Sequence, residues 1–224
     1  MKGILFDMDG VLVDVSGSYR LAVKKTVEFF IHQKITLSQI QEYKNRGGFN
    51  NDWDLTQEIL KECGVSKKRD VLMEVFQNNY LGDNFDGLIK NEKWMLKENI
   101  LEKISEKFKL GIVTGRPHKE AFYAMERFAM KSYFPVLIAM EDVPVHRAKP
   151  DPLGILMALK KLKIKEAFYV GDTVDDMRAA SRANTIPVGV INDSENIEKQ
   201  TELLIKHGAQ WVLRDINDLG ELIQ

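Results

Sequence analysis

The segment Lys-Gly-Ile-Leu-Phe-Asp-Met-Asp-Gly-Val-Leu-Val-Asp, residues 2–14, constrains the fold more than any other stretch of the chain. The apolar run Ile4-Leu5-Phe6 stops at Asp7, Asp9 and Gly10, and a second run, Val11-Leu12-Val13, stops at Asp14. Two arrangements suit this pattern. One is a β-hairpin turning at Asp9-Gly10 between two apolar strands. The other is a single buried strand that delivers two carboxylates, one residue apart, to the end of a sheet. The rest of the chain decides between them.

Residues 15–87 read as helical throughout. Ser16 or Ser18 is placed to cap a helix reaching about Gln33, with Leu21, Val23, Val27, Phe30 and Ile31 as its apolar stripe. A shorter helix over 37–43 leads into a polar loop, 44–51, that contains Gly47-Gly48. Asp52 is expected to cap a third helix that stops before Gly64, and a fourth carries Val71, Leu72, Val75, Phe76 and Tyr80 towards Gly82. From residue 88 the texture alternates. Helices are expected over 92–107, up to Phe128, over 152–162, over 175–182, up to Lys206 and at the end of the chain. Strands are expected over 110–113, 136–140, 167–170, 187–191 and 211–213. Such alternation predicts an α/β protein with a parallel, doubly wound sheet. The first strand belongs in that sheet. The helical block is therefore an insertion: a core of residues 1–14 and 88–224 carries a smaller all-helical domain, 15–87.

Composition narrows the function classes. A chain of 224 residues with 44% hydrophobic and 29% charged residues has room for a sizeable core, as one large domain or as a domain plus a smaller one. The formal net charge of −1 supplies no global basic field for nucleic acid or an anionic membrane surface. With Cys63 as its single cysteine, the chain has no internal disulfide and no multi-cysteine metal site. No apolar run is long enough to span a bilayer, and Asp7 and Asp9 interrupt the only N-terminal apolar stretch, so a soluble cytoplasmic protein is expected.

In an open α/β sheet, ligands bind beyond the carboxyl ends of the strands. Three predicted strands end there in polar residues: Asp7 and Asp9, then Thr114-Gly115, then Asp172 with Asp175 and Asp176; Lys149-Pro150 precedes a helix nearby in sequence. Each has a plain structural explanation, as a strand-to-helix turn, a solvated lysine, or a helix cap with acidic residues favouring the dipole. Their joint arrival at one sheet edge is the informative coincidence. Carboxylates meeting at one site repel by about 4 kcal/mol per close pair at an effective dielectric near 20, so such a cluster calls for a cation. Oxygen ligands without histidine or cysteine favour Mg²⁺. A carboxylate-bound metal beside a lysine and a hydroxyl suits a phosphoryl group.

The set Asp7-x-Asp9-Gly, Thr114-Gly-Arg, Lys149-Pro and Gly171-Asp172-x-x-x-Asp176 resembles the four signature motifs of the haloacid dehalogenase superfamily, in the family's order. The helical insertion resembles the cap of its phosphoglycolate-phosphatase-like subgroup. The resemblance implies a Mg²⁺-dependent phosphatase acting on a small phosphorylated metabolite, with a phosphomutase or a non-catalytic binding protein as alternatives. It casts Asp7 as a nucleophile that forms an aspartyl-phosphate, and Asp9 as the acid and base. Thr114, the Gly115 amide and Lys149 would hold the phosphoryl oxygens. Asp7, the Asp9 carbonyl and Asp172 would ligate Mg²⁺, with Asp176 supporting the metal or Lys149. Asp175 falls where relatives often have asparagine and is given a lesser role. Retention of Asp9 favours phosphate esters over halides, because a halide leaves without a proton. A response-regulator receiver uses similar groups but in another order, with its lysine last.

By the same resemblance, cap loops contact the part of the substrate beyond the phosphate. Lys44, Arg46, Asn50, Asn51 and Trp53 are the candidates, set against an ordinary interhelical loop with Trp53 packed inside the insert. Arg116 and His118 are placed to face the site, although His118 also suits a surface position at a helix start. His32, His146 and His207 lack metal-ligand spacing. Cys63, at a helix end, reads as a small buried residue.

Overall fold

The structure, a computed structural model, describes residues 2–46, 51–191 and 196–222. In chain order its strands and α-helices are β1 (Gly3–Phe6), β2 (Val13–Asp14), α1 (Tyr19–Ile31), α2 (Leu37–Arg46), α3 (Asp52–Glu62), α4 (Arg69–Tyr80), β3 (Lys93–Trp94), α5 (Glu98–Lys107), β4 (Lys109–Val113), α6 (His118–Arg127), β5 (Val136–Ile138), α7 (Leu153–Leu162), β6 (Ala167–Gly171), α8 (Val174–Arg182), β7 (Ile186–Val190), α9 (Ile197–Lys206), β8 (Trp211–Leu213) and α10 (Leu219–Leu222). The chain divides into two units: Met1–Val13 with Trp94–Gln224, and Asp14–Lys93.

The first unit is built on a six-stranded sheet in the order β5-β4-β1-β6-β7-β8, every described pair parallel. Ile4, Leu5 and Phe6 are fully buried, which places β1 at the centre of the sheet. Burial of side chains of this size contributes roughly 1.5–3 kcal/mol each. The hairpin arrangement does not occur. Residues 11–13 turn back on the loop instead: the Leu12 and Val13 amides both donate to the Met8 carbonyl at 2.9 Å, and Gly10 N donates to Val13 O at 2.9 Å. One face of the sheet is covered by α7, whose Ile155, Ala158, Leu159 and Leu162 join Leu5, Val113, Ile138 and Tyr169 in one core cluster.

Register is what positions the site. Phe6 pairs with Ile112 on one side and Val170 on the other. Asp7, one residue further, continues the ladder by donating its amide to Val170 O at 2.8 Å. The residues that follow β1, β4 and β6 therefore emerge at one edge of the sheet.

The second unit is built on the helices α1 to α4. Tyr19 stacks on Tyr80 at 4.0 Å between ring centroids, and Phe76 lies against both rings. Ser18 stands at the N-cap of α1, but its hydroxyl makes no cap bond; it donates to the buried Glu92 at 2.8 Å, which also accepts from Tyr80 Oη at 3.1 Å. Asn51, not Asp52, caps α3, accepting from Asp54 N. α2 runs to Arg46, so Lys44 and Arg46 are helical rather than in a loop. The helix expected from residue 92 begins at Glu98, because Lys93–Trp94 forms β3, which pairs with β2. Cys63 is exposed, contrary to the expectation of burial. At the C-cap of α3 its side chain has left the buried stripe formed by Leu55, Thr56, Ile59 and Leu60.

Candidate active site

Three strand ends and one loop supply the site. Asp7 follows β1, Thr114 follows β4, Asp172 follows β6, and Lys149 comes from the loop before α7. Carboxylate oxygens of Asp7, Asp172 and Asp176 lie within 4.8 Å of one another. Lys149 Nζ stands 2.9 Å from Asp7 Oδ1 and 2.7 Å from Asp176 Oδ1.

Two glycines make this approach possible. A Cβ on Gly171 would sit 2.3 Å from the Asp176 Cβ and 2.5 Å from its Cγ. Gly10 has φ +72°, and a Cβ there would lie 2.1 Å from Asp172 Oδ2. Asp176 is fully buried and its oxygens are committed to neighbours. Oδ2 accepts from Thr173 N at 3.1 Å and Thr173 Oγ1 at 2.6 Å, a capping box for α8. Oδ1 accepts from Lys149 Nζ and from Tyr169 Oη, the latter at 3.1 Å.

Tyr169 was missed in the sequence, where it reads as one more apolar position of a strand. Its single hydroxyl proton is shared between Asp176 Oδ1 and Val113 O, the latter at 3.2 Å, and its oxygen accepts from Lys149 Nζ at 3.3 Å. A hydroxyl on an otherwise apolar buried strand was the available signal, since such a group must find partners.

The electrostatics follow from burial. Asp7 is pushed up to about 8, first by loss of solvent; Lys149 opposes the shift, and Asp176, Asp9 and Asp172 add to it. For Lys149 burial would lower the pKa, but Asp176 and Asp7 outweigh it and hold the ammonium well above its usual range. One lysine therefore does not balance the carboxylates gathered around Asp7. An oxygen-rich, over-acidic cluster of this kind fits a hard divalent cation.

Thr114 is buried; its amide donates to Ile138 O at 2.9 Å and its hydroxyl accepts from Arg116 N at 3.1 Å. Gly115 follows it in the same turn and is half-buried. Asp9 is partly exposed and ion-paired to Arg116, whose side chain is completely buried. Arg116 thus points inward rather than offering its guanidinium openly to a ligand. Asp175 is buried on α8, with Arg178 Nη1 at 3.6 Å. His118 begins α6, with Nε2 2.9 Å from Asp142 Oδ2. His32 and His146 are exposed, and burial lowers the pKa of His207.

The substrate candidates of the insert lie in the second unit. Arg46 pairs with Glu62 at 2.7 Å and stands over the Tyr43 ring; Lys44 lies 3.1 Å from Asp52 Oδ1. Trp53 meets Phe76 edge-on at 6.5 Å. Gly47, Gly48 and Asn50 lie outside the described residues.

The haloacid dehalogenase-like hydrolase family matches the chain over residues 4–190. The chain belongs to that family. The family is one of hydrolases. The whole chain is 33% identical over 240 residues to an imidazoleglycerol-phosphate dehydratase of Phytophthora nicotianae, and spans about half of that protein, 52%. It is 27% identical over 224 residues to a pyrophosphatase PpaX of Listeria welshimeri, covering 99% of this chain and 95% of that one. Among solved structures, a predicted phosphoglycolate phosphatase from Haemophilus somnus superposes with a TM-score of 0.76 at 19% identity, over 100% of this chain and 98% of the other, and so shares the fold.

Proposed function

We propose that the protein is a Mg²⁺-dependent phosphatase that hydrolyses a small phosphorylated metabolite through an aspartyl-phosphate on Asp7. The observation that carries the reading is the convergence of Asp7, Asp172, Asp176 and Lys149 at one sheet edge. In the first half-reaction an Asp7 carboxylate oxygen attacks phosphorus, the bond to the leaving oxygen breaks, and protonated Asp9 gives that oxygen its proton. In the second, water attacks the aspartyl-phosphate, Asp9 takes the water's proton, and phosphate leaves, restoring Asp7. Thr114 and the Gly115 amide hold phosphoryl oxygens, and Lys149 offsets their charge.

Asp7, Asp172 and the Asp9 carbonyl would hold the magnesium ion, which supplies charge neutralisation at the phosphoryl group when bound. Asp176 fits a supporting role better than a ligand's, because its oxygens already serve Lys149, Tyr169 and the cap of α8. We assign the unit Asp14–Lys93 the role of a cap, with Lys44, Arg46, Asn50 and Trp53 choosing the substrate. A substrate anion would there compete with Asp52 for Lys44 and with Glu62 for Arg46.

The test is phosphate release from a panel that includes pyrophosphate, 2-phosphoglycolate, sugar phosphates, an imidazole-bearing phosphate ester and p-nitrophenyl phosphate, with Mg²⁺ and with chelator. Metal-dependent release from one panel member, lost in Asp7→Asn, is the expected result. Isomerisation of a sugar phosphate without free phosphate would replace hydrolysis by mutase chemistry. Release that survives in Asp7→Asn would overturn the assignment.

A further inference from the structure

We propose that Arg116 is a positioning residue for the acid–base step: its buried guanidinium fixes the direction in which the Asp9 carboxylate faces the leaving oxygen. The inference rests on the phosphatase reading and deepens it. The Arg116 side chain is completely buried, and its Nε donates to Asp9 Oδ1. Arginine is almost never buried for packing alone, since an apolar residue of similar size would fill the space without the cost of desolvating a charge. Here the charge meets Asp9, the side chain of the first motif that exchanges a proton with the substrate in the proposed mechanism.

The backbone around Arg116 is fixed as well. Its amide donates to Thr114 Oγ1 at 3.1 Å, and its carbonyl accepts from Met140 N at 2.9 Å. The turn that presents Thr114 and Gly115 to the phosphoryl group therefore also sets where Arg116 starts, and through it where Asp9 ends. Motif one and motif two are joined through a donor held in the rigid plane of a guanidinium rather than through a flexible ammonium stem. A lysine ammonium, a point charge on a flexible stem, would keep the charge and lose the direction.

Asp9 works twice, and the two uses separate experimentally. In kcat/KM the reaction is followed only to the first irreversible step, departure of the leaving group. A phenolate needs the proton of Asp9; a nitrophenolate leaves with little help. Phenyl phosphate and p-nitrophenyl phosphate have nearly the same shape beyond the ester oxygen, so recognition by the insert affects both alike. The experiment compares kcat/KM for the two esters in the wild type, Arg116→Lys, Arg116→Gln, Asp9→Asn and the Asp9→Asn/Arg116→Lys double variant, with thermal unfolding to monitor the fold.

In Arg116→Lys, kcat/KM for phenyl phosphate is expected to fall at least about tenfold further than for p-nitrophenyl phosphate, within the range that general acid catalysis supplies. That difference is expected to vanish in the Asp9→Asn background. Arg116→Gln, which keeps a planar donor without the charge, is expected to fall between the wild type and Arg116→Lys in this ratio. Equal losses for both esters, or a ratio that still shifts when Asp9 is already asparagine, would overturn the positioning role while leaving the phosphatase reading intact. A wild type that hydrolyses neither ester nor any panel member would overturn both.

Discussion

In the helical unit several carboxylates are each served by cations of their own; at the polar edge of the sheet unit three carboxylates are crowded around one lysine. Glu28 is served by Lys24, by Lys34 at 3.3 Å and by the Ile35 amide at 3.1 Å. Glu62 takes Tyr43 Oη at 2.6 Å and Arg46 at 2.7 Å, and Asp54 takes Arg69. In the sheet unit Asp7, Asp172 and Asp176 share one small volume with Lys149. The same functional group, a carboxyl, is thus held below its usual range in one unit and above it in the other. Glu28 is lowered to about 2, chiefly by its bond from Lys24, whereas Asp7 is raised to about 8, chiefly by burial. Pairing charges stabilises a fold; crowding them destabilises it and is kept where chemistry needs a poised carboxylate.

The comparison can be broken most directly at Asp7. Asp7→Asn is expected to lower kcat by at least about 10⁴-fold, as loss of a covalent nucleophile does; residual turnover near the wild-type level would remove Asp7 from the centre of the site. Next in size is the pH dependence of stability. Asp7 binds its proton more tightly folded than unfolded, so in chelator the unfolding free energy should fall as pH rises from about 4 to about 8, then level off. The slope from one such group is at most about 1.4 kcal/mol per pH unit. Thermal melts of Asp7→Asn should lose that slope; a wild-type melting temperature that rises steadily across this window contradicts the crowded-charge account.

Magnesium sharpens the contrast from the other side. At about a hundredfold excess over Kd, Mg²⁺ should stabilise the wild type by about 2.7 kcal/mol, and the shift in Tm should disappear in Asp172→Asn. An equal shift in both proteins would place the ion elsewhere. A smaller effect is expected for Tyr169→Phe, about 0.5–1.5 kcal/mol, because Asp176 and Val113 O lose a hydrogen-bond partner. Chemical denaturation reads this directly, and an unchanged midpoint would show the tyrosine hydroxyl to be idle. The smallest change belongs to the helical unit. Glu28 has its pKa lowered in the fold, so its contribution is present above the ordinary carboxylate range and is lost as pH falls towards about 2. Glu28→Gln should lower Tm slightly at neutral pH and not at all near pH 2; a loss that persists in acid would mean that packing, not charge, was removed.

Strand ends were the legible part of the chain. Apolar runs that stop abruptly at Asp7, Thr114 and Asp172 announce a parallel sheet with a polar edge, because a buried strand tolerates polar residues only where it ends. The strand order was not legible, since alternation says that strands are parallel without saying which are neighbours. Nor were the inward partners. Arg116 read as a residue facing the site and lies buried against Asp9; Tyr169 read as apolar and ties Val113 to Asp176. Both depend on contacts across more than one element, which no local pattern encodes. In the helical unit the same holds for Ser18, whose hydroxyl leaves the helix end for Glu92, a residue distant in sequence.

The bare backbone at Gly171 reaches further than its size suggests. With any heavier residue there, Asp176 would have no room where it now stands, and Lys149 would be left facing Asp7 without its second acidic neighbour. The ionic balance of this polar edge is therefore governed by a position that carries no charge at all, and an alanine at 171 would retune Asp7, the proposed nucleophile, while every ionisable residue stayed in the sequence.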